Sequence, residues 1–125
     1  MIVEVRITQS FKKAVKSLLK KYPSLSQDLL NLQETLIKNP IHGTALGHNA
    51  YKIRLKISSK GKGKSGGARV ISLVETTLVS VVKIVEEEIT VNLLTIYDKS
   101  DTAVISEKEL KGLIEAFHRT RPNPL

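Results

Sequence analysis

From Tyr51 to Ile57 the chain alternates strictly: Tyr51, Ile53, Leu55 and Ile57 are apolar, and the residues between them, Lys52, Arg54 and Lys56, are cations. A period of two puts successive side chains on opposite faces of a strand, whereas a helix would spread both sets around its circumference. The segment is therefore expected to be a half-buried strand, with its apolar face against a core layer and its charged face open. Taken alone, three alternating cations more often mean a solvated strand protected from edge aggregation than a binding site.

The surroundings of the strand change that balance. Between Glu34 and Glu75 lie eight Lys or Arg residues, Lys38, Lys52, Arg54, Lys56, Lys60, Lys62, Lys64 and Arg69, and no Asp or Glu. The remainder carries twelve basic and twelve acidic residues, so the formal net charge of +8 belongs wholly to this window. Ordinary surfaces intersperse the two signs, and a segregated positive patch fits a polyanion.

With 125 residues, 41% hydrophobic and 26% charged, the chain can bury one core, and a single domain over residues 1–125 is expected. There is no run of about eighteen apolar residues to span a membrane. The N-terminus opens with Ile2, Val3, Glu4, Val5, Arg6 and Ile7 rather than an apolar signal core, so a cytoplasmic protein with no membrane partner is expected. The absence of cysteine excludes disulfides, thiol catalysis and Cys-based zinc sites and fits a reducing compartment. His42, His48 and His118 lack metal-ligand spacing, so neither a metal nor another cofactor is expected.

Along the chain, Ile2 to Ile7 reads as a strand. Thr8 or Ser10 can cap a first helix with Phe11, Val15, Leu18 and Leu19 on one face and Lys12, Lys13, Lys16 and Lys20 outside; Pro23 ends it. Ser24 and Gln27 have capping-box spacing ahead of a stripe of Leu25, Leu29, Leu32 and Leu36, which Asn39 and Pro40 close. A loop from Pro40 to Asn49 then leads into the basic strand. Ser58 to Gly67 reads as a flexible basic hairpin loop; Gly63, Lys64 and Ser65 do not make a nucleotide-binding loop, because Ser58 stands where the upstream glycine is required and a strand follows in place of a helix.

Ala68 to Val85 is too long for one regular strand, so a bulge near Glu75 to Thr77 is expected, with a turn at Glu86 to Glu88 and a central strand from Ile89 to Asp98. Ser106 and Glu109 form a second capping box before a last helix over 106–118, whose Leu110, Leu113, Ile114 and Phe117 pack on the sheet.

This α+β order, an N-terminal strand and helical hairpin followed by an antiparallel β-meander and a C-terminal helix, resembles the RelE/ParE toxin superfamily. Specific words carry the likeness: Lys20, Lys21, Tyr22, Pro23; Asn39, Pro40, Gly43, Leu46, Gly47; Tyr51, Lys52, Ile53, Arg54, Leu55; Gly66, Gly67, Ala68, Arg69, Val70, Ile71; and Leu93 to Ser100, then Ile105, Ser106, Glu109 and Leu110. They span nearly the whole chain in register and look more like the RelE-like branch than the ParE-like one.

The resemblance implies the toxin of a type II toxin–antitoxin module, a ribosome-dependent mRNA endonuclease that works without a metal through attack of the RNA 2′-hydroxyl on the adjacent phosphodiester. Its implied partners are a cognate antitoxin, the ribosome and mRNA. Carried over by position, Lys52, Arg54, Arg69, Tyr97 and Lys99 are the implied catalytic residues; Lys56, Lys60, Lys62 and Lys64 are candidate RNA contacts. The residue types agree with such chemistry. Fixed cations stabilise the charge gathered on a phosphorane, Arg grips phosphate in a bidentate manner, and a Lys crowded by cations can exchange protons. Tyr97 is a candidate general base or stacking platform.

The chain departs from the family in two places: no aromatic other than Phe117 follows Tyr97, and Leu73 to Glu88 is longer than the usual hairpin. A ParE-like, non-enzymatic inhibitor of DNA gyrase and a basic nucleic-acid-binding module without chemistry are the alternatives.

Overall fold

The computed structural model describes residues 2–60, 66–81, 84–100 and 104–120. A mixed α+β fold is observed: β1 (Ile2–Ile7), α1 (Gln9–Leu19), α2 (Leu25–Lys38), β2 (Thr44–Gly47), β3 (Ala50–Leu55), β4 (Ala68–Val81), β5 (Ile84–Asp98) and α3 (Glu107–Thr120). The strands form one five-stranded sheet in the order β1-β5-β4-β3-β2, antiparallel except for the parallel pairing of β1 with β5. Among the described residues no helix is long and apolar enough to cross a membrane.

The alternation that marks β3 decides how the layers stack. Ile53, Leu55 and Ile57 are buried with Phe11, Leu18, Leu25, Leu32 and Leu36, so the helical hairpin covers the face they occupy. The opposite face carries a smaller cluster, Ala50, Ile71, Leu73, Leu94 and Leu110, beneath α3. Burying these two apolar layers drives the assembly.

Thr8 caps α1 by accepting a hydrogen bond from the Phe11 N–H, and at α3 the Glu109 N–H donates to Ser106 Oγ at 3.1 Å while that hydroxyl donates to Glu109 Oε1. The box expected at Ser24 and Gln27 does not form. Ser24 makes no side-chain cap, and its hydroxyl turns instead to Asp28 and Ser59. Asp28, which falls on the apolar stripe, is itself buried; it accepts from the Ser58 N–H at 3.0 Å and the Ser58 hydroxyl at 2.7 Å, tying α2 to a 3-10 turn at Ser58–Lys60.

The loop expected over Pro40–Asn49 contains β2. His48 (φ 56) and Asn49 (φ 62) occupy left-handed conformations in the tight turn that joins β2 to β3. The long hairpin also differs from expectation. Its bulge lies between Ile71 and Ser72, where Leu94 is the extra residue of β5, and Glu86–Glu88 are inside β5, paired with Val79, Leu78 and Thr77. β4 and β5 pair as far as Val81 with Ile84, so strand pairing continues through the position where the charged triplet reads as a turn. Of the C-terminal tail, Arg119 and Thr120 belong to α3, and residues 121–125 lie outside the described residues.

Candidate nucleic-acid interface

Cross-strand partners share a sheet face, so the register assembles the site. Arg54 of β3 lies opposite Arg69 of β4, which lies opposite Tyr97 of β5; in the adjacent row of the same face Lys52 faces Ile71, and Ile71 faces Thr95. Lys52, Arg54, Arg69 and Tyr97 are thus brought together on the α3 side of the sheet, and none of the residues in these two rows is acidic. Like charges set directly opposite one another cost ~0.2–1 kcal/mol, a cost that a bound anion relieves. Arg54 and Lys56 are exposed and Lys52 is half-buried.

Close backbone contact holds these rows in place. A Cβ at Gly67 would meet the Leu55 carbonyl oxygen at 2.0 Å, so only glycine lets the start of β4 close on the end of β3 just ahead of Arg69. Gly43 (φ +99) likewise packs on the Lys52 carbonyl, where a Cβ would sit at 2.3 Å. The Lys99 N–H donates to the Gly67 carbonyl at 3.2 Å, placing exposed Lys99 at the same end of the sheet. Arg54 and Lys56 also border a cleft of about 300 Å³ with Asn31, Thr35 and His42, between α2 and the β3 edge that β2 leaves uncovered.

Three of the expected site residues are held within the fold. Only 5% of Arg69 is exposed, and one guanidinium N–H donates to the Ala68 carbonyl at 3.1 Å. The close approach at Gly67 draws its strand inward, and the arginine is built into the sheet.

Tyr97 packs against the Leu110 cluster under α3, and its hydroxyl is buried with no hydrogen-bond partner among the described residues. Burial pushes the phenol above its ordinary value, against the smaller opposing effect of the Arg69 charge. A phenol held protonated and covered is ill placed as a general base or as a stacking platform.

Lys60 is also taken out of the set of free cations. Its Nζ donates to Asp98 Oδ1 at 2.6 Å and to Ser100 Oγ at 2.9 Å, and its side chain is 10% exposed. The buried Asp98 further accepts from the Tyr22 hydroxyl and from the Ser100 N–H and hydroxyl. Burial alone would raise this carboxyl, but the hydrogen bonds from Lys60, Tyr22 and Ser100 outweigh it and hold the group far below the usual carboxylate range. Lys60 and Asp98 therefore form a clamp on the end of β5.

Lys62 and Lys64 lie outside the described residues. His48 pairs with Glu107 at 3.4 Å, linking the β2–β3 turn to the start of α3. The clamp partners Tyr22 and Asp98, and His42 in the cleft, were not legible as site residues; the only local signal is Asp98-Lys99-Ser100, a spacing suited to an Asx turn. Among the described residues no cluster of His, Asp or Glu is arranged to hold a metal ion. Comparison with family models, curated proteins and solved structures returns no match for this chain.

Proposed function

We propose that the protein is a metal-independent endoribonuclease acting in the cytoplasm on ribosome-bound mRNA, the toxin of a type II toxin–antitoxin pair. One observation carries the reading: Lys52 and Arg54 of β3 and Arg69 of β4 occupy adjacent rows of one sheet face inside the segment that holds the whole net charge. In the proposed reaction the 2′-hydroxyl gives its proton to solvent water as its oxygen bonds to phosphorus, the bond to the 5′-oxygen breaks, and a 2′,3′-cyclic phosphate and a 5′-hydroxyl remain. Exposed Arg54 contacts the phosphorane, buried Arg69 adds its positive charge from the neighbouring strand, and the Lys52 ammonium can supply the proton taken up by the departing oxygen. Primer extension on a translated mRNA tests this directly: discrete cleavage sites that require active translation support it, and an uncut message with arrested growth sinks it.

Each of Lys52→Ala and Arg54→Ala is expected to weaken RNA association and to reduce the slope of log affinity against log salt by about one. Unchanged slopes in both would reduce the strand to ordinary surface. Burial of Tyr97, which leaves the row without an accessible phenol, favours as a second reading a basic nucleic-acid-binding module without chemistry; binding with normal salt slopes but no cleavage would select it.

The antitoxin is proposed to be an acidic or amphipathic segment that lies over the basic face or displaces α3. Of α3 only Leu110 is buried, while Leu113, Ile114 and Phe117 are half-buried, so the helix is lightly docked. Hydrogen exchange in the complex should protect residues 52 to 69, α3 or both, and protection confined to α1 and α2 would exclude this mode.

A further inference from the structure

The arm formed by the distal halves of β4 and β5 has no part in the site described above. β3 pairs with β4 only as far as Leu73, with one more bond from the Val74 N–H to the Asn49 carbonyl, and β1 pairs with β5 only from Glu88 onward. Beyond those points Thr76–Val81 and Ile84–Glu87 form a two-stranded ribbon whose outer edges pair with no other strand among the described residues.

The edges differ sharply in charge. The β5 edge carries Glu86 and Glu87, both exposed, which is how proteins guard a strand against pairing. The β4 edge runs Thr76, Thr77, Leu78, Val79, Ser80, Val81, with no charge, no proline and no glycine. Leu78 is 69% exposed and Val85, on the same face, 65%. A two-stranded ribbon is marginal in water by itself, and this one exposes an unguarded edge rich in β-branched residues.

We infer that the β4 edge of the arm, Thr76–Val81, pairs antiparallel with the same segment of a second copy of this chain, about a two-fold axis near Val79. Antiparallel pairing of a strand with itself is self-complementary, as an isologous interface requires. Charge selects the edge and permits a second copy as the occupant. Pairing through β4 puts the two glutamate-bearing β5 strands three strand spacings apart, ~14 Å, beyond a screening length of ~8 Å. Pairing through β5 would set Glu86 and Glu87 against their own copies.

In this arrangement the Val81 end of the partner arm arrives beside Thr76, where Ile41, His48, Glu75 and His118 border a cleft of about 500 Å³ with Ile41 56% exposed. A six-residue edge with these side chains buries less than the ~800 Å² per partner of a standard interface, so the dimer is expected to form with a micromolar dissociation constant. Arg54 and Arg69 stand at the other end of β4 and remain outside the contact.

Sedimentation equilibrium of the full chain across the micromolar range tests the inference. Wild type is expected to shift from monomer to dimer, and L78K/V79K to remain monomeric, its association weakened ~tenfold or more. In the monomer each new lysine faces Glu87 or Glu86 across the ribbon, so the fold is retained, while at the two-fold axis the lysines repel one another. The chain has no cysteine, so V79C gives a single reporter, expected to oxidise to a covalent dimer in preference to E87C. A monomeric wild type, an L78K/V79K dimer as tight as wild type, or preferential E87C cross-linking would each overturn the assignment. So would an arm that is protected only by a different protein.

Discussion

Arg69→Ala is expected to abolish growth arrest at matched expression and to lower cleavage of a translated mRNA on the order of a hundredfold or more, the usual consequence of removing a fixed donor aimed at developing charge. Because Arg69 is 5% exposed and bonded to the Ala68 carbonyl, the same change should also destabilise the fold by ~1–3 kcal/mol, through the emptied space and the lost hydrogen bond. The two effects separate with Arg69→Lys, which keeps the charge and most of the stem but loses the planar fork. That variant should melt closer to wild type and still cleave poorly. Tyr97→Phe is the internal comparison. It removes a hydroxyl without a partner among the described residues, so stability should hold or rise and cleavage should persist. Full arrest by Arg69→Ala, or full cleavage by Arg69→Lys, would remove Arg69 from the transition state; loss of cleavage in Tyr97→Phe would restore the phenol to it.

The elements that could be read from the sequence are those whose signal is local. The alternation at Tyr51–Ile57, the 3.6-residue stripes of Phe11 to Leu18 and Leu25 to Leu36, and the Ser106–Glu109 box each specify one conformation over a few residues, and each is present in the fold, the strand as Ala50–Leu55 with Lys56 and Ile57 beyond its end. What was not legible depends on contacts between distant residues. β2 is four residues long, and its turn uses His48 and Asn49 in place of a glycine pair. Glu86–Glu88 resemble a turn, yet cross-strand neighbours hold them extended. In the site, the gathering of Lys52, Arg54 and Arg69 follows from register once β3 and β4 are known to be consecutive antiparallel strands. The burial of Arg69 depends on the approach of Gly67 to Leu55, and the capture of Lys60 on Asp98, thirty-eight residues away; neither has a local marker.

Capture of Lys60 sets up the other large effect. Asp98→Ala is expected to cost ~3–5 kcal/mol, because it leaves a lysine with a 10% exposed side chain without its counter-charge and releases the Tyr22 and Ser100 hydrogen bonds as well. Tyr22→Phe removes one neutral donor and should cost only ~1–2 kcal/mol. The pH dependence identifies the cause. The folded carboxyl lies well below its unfolded value of about 4, so the clamp's contribution is complete above that value and declines as the pH falls toward the folded one. Urea melts of wild type and Asp98→Ala should therefore differ most near neutrality and converge progressively below about pH 4. A difference that stays constant down to about pH 2 would mean that lost packing, not the ionised carboxylate, accounts for the cost. The clamp also governs the site, since the Lys99 N–H bonded to Gly67 directly follows Asp98. Loosening it frees the end of β5 and the start of β4 together, so Asp98→Ala should reduce cleavage even at temperatures where the protein remains folded. Asp98→Asn, which keeps the shape and some acceptor capacity without the charge, should fall between the two in both stability and activity.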